Sequence, residues 1–130
     1  MNKIQSLKIL LVLGALYYLV SAVVHFFGFT LFPFYDKALY QPYHDTVIAL
    51  VAIILSLLLL AIARNPIKNI DALNVIIIGG IIAIIFSLGI ILKIDFTQLG
   101  APAKKTQTIV EMILLFIYTA LLFYLKPKKL

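Results

Sequence analysis

The sequence predicts an all-α membrane protein, a four-transmembrane-helix bundle with up-down-up-down topology. Of its 130 residues, 64% are hydrophobic and only 12% are charged, whereas soluble domains are only about half apolar. The apolar residues form four long runs, each close to the roughly 20 residues that a helix needs to cross a bilayer. Short connections between the runs make successive helices antiparallel neighbours. We therefore expect a single transmembrane domain over residues 1–130.

The first helix is predicted over residues 7–32. It lies in an uncharged stretch from Ile9 to Tyr35, and Pro33 is expected to end it because proline cannot continue a helix. The stretch is longer than one crossing requires. This helix should therefore tilt, or project beyond the hydrocarbon layer.

The second helix is predicted over residues 42–63. Pro42 suits the first turn of a helix, where its missing N–H group is not needed. The sequence Arg64-Asn65-Pro66 should end the helix, since a residue before proline is pushed out of the α region.

The third and fourth helices follow a short polar turn and a longer loop. The third is predicted over residues 72–92, with Asp71 as its N-cap. The fourth is predicted over residues 102–125, because Pro102 again favours a helix start. An even number of helices places both chain termini on one side of the membrane.

Stripes of small residues indicate where the helices pack. Lipid provides no hydrophobic force between helices, so small side chains are needed to let backbones approach closely. We expect these stripes to be packing seams, and their number also allows a second seam for self-association or for a partner protein. The predicted packing residues are Gly14, Ser21 and Gly28 in the first helix, Ala52 and Ser56 in the second, and Gly79, Ala83 and Ser87 in the third.

Ionisable residues are concentrated toward the end of the bundle away from the termini. Glu111 lies about 9 Å inside the fourth helix, counted from Lys105. A charged carboxylate at that depth is costly, so Glu111 should be protonated or paired with His25, His44 or Lys93. The candidate ligand or proton site therefore comprises His25, His44, Asp45, Lys93 and Glu111.

Each part of this cluster also has a structural interpretation. Asp45 lies in the first turn of the second helix, where a carboxylate complements the helix dipole. Either histidine is also typical of a hydrogen-bonding residue at the membrane interface. The nearby aromatic residues are explained by an interfacial aromatic belt or by an apolar pocket for a lipid-like ligand.

Several classes of function have no support in the sequence. The absence of cysteine excludes disulfides, thiolate zinc sites and cysteine nucleophiles. The two histidines and the acids do not form a metal-binding pair on one helix, and no nucleotide-binding or nucleophile motif occurs. The net charge of +6 comes from lysines at helix ends, which favours lipid headgroups over nucleic acid. We expect no cofactor and no metal.

Three hypotheses about function follow. The first is a noncatalytic membrane protein, either an accessory subunit of a larger complex or a self-associating bundle. The second is binding or proton-linked transport of a small or lipid-like ligand through the His/Glu cluster. The third is an isomerase-type enzyme acting on lipids, with Glu111 and a histidine as acid and base.

Positive charge predicts that both termini are cytoplasmic, because Lys and Arg are enriched on that side. Cysteines introduced at Lys3 and Lys129 should resist a membrane-impermeant thiol reagent in intact cells, whereas one at Lys104 should react. Labelling of the termini from outside would contradict the predicted orientation. The side of the termini holds Lys3, Lys8, Arg64, Lys68, Lys126, Lys128 and Lys129, and the other side holds Lys37, Lys93, Lys104 and Lys105.

Overall fold

A computed structural model describes residues 1–128. Lys129, which the sequence analysis places on the side of the termini, lies outside the described residues. The described residues form four α-helices, α1 (Lys3–Phe27), α2 (Pro42–Arg64), α3 (Ile70–Lys93) and α4 (Ala103–Leu125), and one short 3₁₀ helix (Lys37–Leu39). Each is long and apolar enough to cross a membrane. The prediction of an all-α, four-helix membrane protein is confirmed, and the helix contacts fit an up-down-up-down bundle.

The start of α1 and the end of α4 lie together at what we call the terminal end of the bundle. There the Lys3 ammonium lies 4.2 Å from the centre of the Tyr124 ring. The start of α3 is at the same end, because Lys126 donates a hydrogen bond to Asn74. His25 and the first turn of α2 therefore lie at the opposite end.

The prediction that the first helix continues to residue 32 is wrong. The helix ends at Phe27, and Gly28 follows it with φ 68° in the left-handed region. The Gly28 N–H group donates to the carbonyl of Val24 at 2.9 Å, which completes a glycine C-cap. Glycine adopts this conformation without the steric cost that a Cβ imposes.

The apolar residues after Gly28 form a tight loop instead of further helix. Leu31 and Tyr35 exchange two backbone hydrogen bonds of 3.0 Å, which closes the loop around Pro33. The loop folds back along α1, since the Phe34 and Tyr17 rings lie with their centres 4.9 Å apart. The apolar residues that follow α1 thus form a loop that packs against this helix.

The remaining helix boundaries differ little from the predictions. Pro42 is the first residue of α2, as expected. Helix α3 starts at Ile70, so Asp71 lies in its first turn and is not the N-cap. Helix α4 starts at Ala103, directly after Pro102.

The main core lies in the half of the bundle nearest the terminal end. All four helices contribute large apolar side chains to it, and α1 with α2 forms the most extensive pair of helices. Toward the opposite end, a smaller cluster joins only α1 and α2. The main core contains Leu7, Leu11, Ala15, Leu59, Ile62, Ala63, Leu73, Ile77 and Leu122, and the smaller cluster contains Ala22, Ala49 and Ala52.

Small residues bring α1 close to its neighbours. The Ser56 hydroxyl donates a hydrogen bond of 2.8 Å to the carbonyl of Ala15, and both residues are buried. At Gly14 a Cβ atom would overlap the Tyr118 hydroxyl. The predicted packing residues Gly14, Ala52 and Ser56 are all buried in the bundle, whereas Ser21 is half-buried and Gly28 serves as the helix cap.

Helix α3 packs on α4 through Gly80 and not through Gly79. A Cβ atom at Gly80 would collide with the Thr119 side chain, whereas one at Gly79 would have no neighbour within 4 Å. Successive residues on a helix point about 100° apart, so the true contact face is rotated from the predicted one. Gly79 therefore has no packing neighbour among the described residues of the bundle, the alternative of a second seam for self-association or a partner stays a prediction, and Ala83 and Ser87 are half-buried.

Candidate functional site

The last turn of α1 and the first turn of α2 form a histidine–aspartate pair. Nδ1 of His25 lies 2.6 Å from Oδ1 of Asp45, and Asp45 is only 3% exposed. The other carboxylate oxygen accepts a hydrogen bond of 2.6 Å from the N–H group of Gln41, the residue before α2. Asp45 thus lies in the first turn of α2, where its charge complements the helix dipole, and it also joins the start of α2 to the end of α1.

Tyr35, from the folded loop, covers this pair. The centres of the Tyr35 and His25 rings are 4.2 Å apart. The Tyr35 hydroxyl is buried and makes no hydrogen bond of acceptable geometry within the described residues. Burial, and next the nearby Asp45 carboxylate, raise the pKa of this hydroxyl well above its usual range. Tyr35 therefore remains neutral.

Glu111 has different partners from those that the sequence suggested. The Tyr17 hydroxyl donates a short hydrogen bond to Oε2 of Glu111. Nζ of Lys104 lies 3.6 Å from Oε1, and Lys104 is two turns earlier on the same face of α4. Glu111 thus contacts Tyr17 and Lys104 instead of the predicted His25, His44 or Lys93, and the alternative that Glu111 is protonated stays a prediction.

The other two members of the predicted cluster are surface residues. His44 is exposed, and its ring lies against that of Tyr43 with centres 5.5 Å apart. Lys93 is exposed at the last position of α3. The five candidate residues therefore separate into two polar groups, one at His25 and Asp45 and one at Glu111, and two residues outside them.

Sequence reasoning missed Tyr17, Tyr35 and Lys104. Lys104 was available from helix periodicity, because residues seven apart share a helix face. Tyr17 and Tyr35 required knowledge of how α1 meets α4 and of the loop that folds back. The one sequence signal for Tyr17 is its hydroxyl group within an otherwise apolar run, because such a group favours a hydrogen-bonding partner.

Two cavities in the described part of the chain lie away from both polar groups. One, of about 410 Å³, is at the terminal end. The other, of about 370 Å³, is a shallow groove on α3 beside Gly89. The aromatic residues Phe26, Phe27, Phe32 and Tyr43 are all exposed, which fits an interfacial aromatic belt.

Comparison with protein-family models, with curated proteins and with solved structures found no match to this chain. The two polar groups bond inward, to neighbouring helix and loop residues. Their chemistry is sufficient to join helices at the opposite end of the bundle, where large apolar core residues are few.

We expect Asp45→Ala to lower the free energy of unfolding in detergent by about 1–3 kcal/mol, because it leaves the Gln41 N–H and His25 without their shared acceptor. Asp45→Asn should cost less, since an amide oxygen can still accept. The control is His44→Ala at the adjacent exposed position, which should change stability by no more than about 0.5 kcal/mol. Equal losses at Asp45 and His44 would contradict the assigned pairing.

For the second group, Tyr17→Phe should destabilise the protein by about 1–3 kcal/mol, because Glu111 loses its hydrogen-bond donor on α1. Tyr18→Phe is the matched control, since it removes a hydroxyl at the next position. In a Glu111→Ala background the effect of Tyr17→Phe should shrink by about 1 kcal/mol, as measured by a double-mutant cycle of unfolding free energies. Strict additivity would show that the two side chains do not interact.

Proposed function

We propose that this chain is a noncatalytic, multi-pass membrane protein that acts as a subunit and binds a further transmembrane helix through α3. The main support is the low burial of that helix. Only 6% of the most apolar stretch of α3 is buried inside the bundle, against 33% in α1, 33% in α2 and 17% in α4. The bundle thus leaves most of this stretch of α3 exposed, although Leu73, Ile77 and Gly80 pack against the other helices.

The glycines of α3 support contact with another backbone. A Cβ atom at Gly79 or Gly89 would have no neighbour within 4 Å. Glycine within a helix costs about 0.5–1 kcal/mol relative to alanine, so it gives no advantage on a face that meets only lipid. At Gly80 the same residue type allows close contact with Thr119 of α4. We infer that Gly79 and Gly89 allow a similar approach by a helix outside this chain.

The shape of the exposed face is suited to such a helix. The groove of about 370 Å³ beside Gly89 is lined by Ile85, Phe86 and Ile90, and Lys93 is at its end. Ridges of side chains on one helix pack into grooves of this kind on another. A parallel pair of copies joined here would bring two Lys93 ammonium groups to the same level. This repulsion favours a different membrane protein, with a neutral or acidic residue opposite Lys93, as the partner.

The polar groups at the opposite end support a noncatalytic role. His25, Asp45 and Glu111 bond to neighbouring residues of the chain, and the two cavities lie elsewhere. We assign these residues to helix packing and not to acid–base catalysis or transport. The excess of Lys and Arg at the terminal end supports a cytoplasmic location for the termini.

Crosslinking from α3 tests the proposed subunit role. A photoreactive phenylalanine analogue at Phe86 should give one discrete protein adduct in native membranes, because Phe86 lines the groove. The same analogue at Phe116, an exposed phenylalanine on α4, is the control and should label only lipid. An adduct of twice the mass of the chain would identify a second copy and overturn the choice of a different partner, and lipid labelling alone from Phe86 would overturn the subunit role.

Glycine variants separate loss of the partner from loss of the fold. Gly79→Leu and Gly89→Leu should remove the Phe86 adduct and leave the unfolding of the purified protein nearly unchanged. Gly80→Leu should instead lower the unfolding free energy by about 1–3 kcal/mol, because it overpacks the contact with Thr119. If Gly79→Leu destabilised the purified protein as much as Gly80→Leu, the assigned orientation of α3 would be wrong.

A further inference from the structure

A cavity of about 410 Å³ lies at the terminal end of the bundle, where α1 and α3 begin and α4 ends. Three lysines line it, namely Lys3, Lys126 and Lys128. Its volume is within the range of about 300–1,000 Å³ that is typical of ligand sites. The cavity therefore combines a concave shape with a concentration of positive charge.

Two of the lysines are held in place at the cavity wall. Nζ of Lys126 donates a hydrogen bond of 3.1 Å to Oδ1 of Asn74, which lies one turn inside α3. Nζ of Lys3 lies 4.2 Å from the centre of the Tyr124 ring. An aromatic ring and a neutral amide orient an ammonium group without neutralising it. Asp71, in the first turn of α3 next to the cavity residue Ile70, adds a negative charge at this end and is itself engaged in an interaction.

Backbone dipoles add to the charge of the lysines. Helices α1 and α3 both present their positive N-terminal ends here, and the residue before α3, Asn69, makes no side-chain hydrogen bond to cap it. The C-terminal end of α4 contributes the opposite sign, but Lys126 directly follows that helix. The three lysines and the N-terminal ends of α1 and α3 together favour an anion in the cavity.

The cavity wall also includes apolar side chains, among them Ile4, Ile70 and Phe123. A small free anion makes no favourable contact with such apolar side chains, whereas a phospholipid has apolar chains next to its phosphate. Basic pockets between transmembrane helices recognise anionic headgroups in this way. We propose that the cavity binds the phosphate of an anionic phospholipid in the leaflet at the terminal end, with Lys3, Lys126 and Lys128 as its cationic ligands. This site is independent of the helix partner proposed for α3.

The enrichment of lysine on one membrane side is the simpler explanation of these charges. It accounts for lysines at headgroup level anywhere on the terminal end, including Lys8, which is exposed and does not line the cavity. It does not account for a cavity, or for the hydrogen bond between Lys126 and Asn74. Lys8 therefore provides a matched control, because its removal changes the net charge by the same amount.

The test uses the purified full-length protein in a neutral detergent and follows its thermal unfolding. Phosphatidylglycerol should raise the unfolding temperature with saturation, because a ligand that binds the folded state stabilises it. Lys126→Gln and Lys128→Gln should each weaken the apparent affinity about fivefold, as expected for one lysine near an anionic lipid. Lys8→Gln should leave the affinity unchanged. Asn74→Leu should weaken binding without any change in charge.

Other results of the same titration would overturn the proposal. An equal response to phosphatidylcholine would show that headgroup charge is not recognised. An equal loss of affinity in Lys8→Gln would show diffuse attraction and no defined site. A response to inorganic phosphate matching that to phosphatidylglycerol would show an anion site that is not specific for lipid. Because Lys128 is exposed, Lys128→Gln keeps the test decisive even if Lys126→Gln does not fold.

Discussion

The close approach of α1 and α2 is the contact on which the rest of the bundle depends. Helices in lipid meet through small side chains and polar contacts, and here the Ser56 hydroxyl bonds to the carbonyl of Ala15 at 2.8 Å. The same approach brings the end of α1 to the start of α2, so that His25 reaches Asp45. It also leaves Gly14 facing α4, where Tyr118 fills the space that a larger residue would occupy.

The two ends of the bundle are stabilised by different means. At the terminal end, large apolar side chains from all four helices interdigitate in one core. At the opposite end the buried cluster is made of alanines from α1 and α2 alone, and polar contacts join the helices. The folded loop adds two aromatic contacts at this end, Phe34 against Tyr17 and Tyr35 over His25.

The sequence was sufficient to predict the number of helices, because each apolar run is long enough to span a bilayer. It also placed the start of α2 correctly, since proline has a local preference for that position. The end of α1 was missed because a helix break at Gly28 depends on a single left-handed residue within an uninterrupted apolar run. Hydropathy alone carries no signal for such a break.

The predicted polar cluster shows a similar limit. The position of each residue along its helix was enough to predict that the ionisable residues lie at one end of the bundle. Which of them pair depends on how each helix is rotated about its axis, and the position along the helix does not determine that rotation. In the structure Glu111 contacts Tyr17 and Lys104, whereas His44 and Lys93, which were predicted as its partners, lie on the surface. The contact of Gly80 with Thr119 in place of the predicted Gly79 has the same origin, because two adjacent glycines point about 100° apart and only the packed structure distinguishes them.

The helix contacts also have a consequence for the order of synthesis. The most extensive contacts are within the first hairpin, α1 with α2, and next within the second, α3 with α4. His25 and Asp45 both belong to the first hairpin, so a nascent chain can bury this carboxylate with its partner before α3 leaves the ribosome. Glu111 arrives last, and its donor Tyr17 is by then already in the membrane. Each of these two acids thus follows its partner in the chain, so that His25 is synthesised before Asp45 and Tyr17 before Glu111.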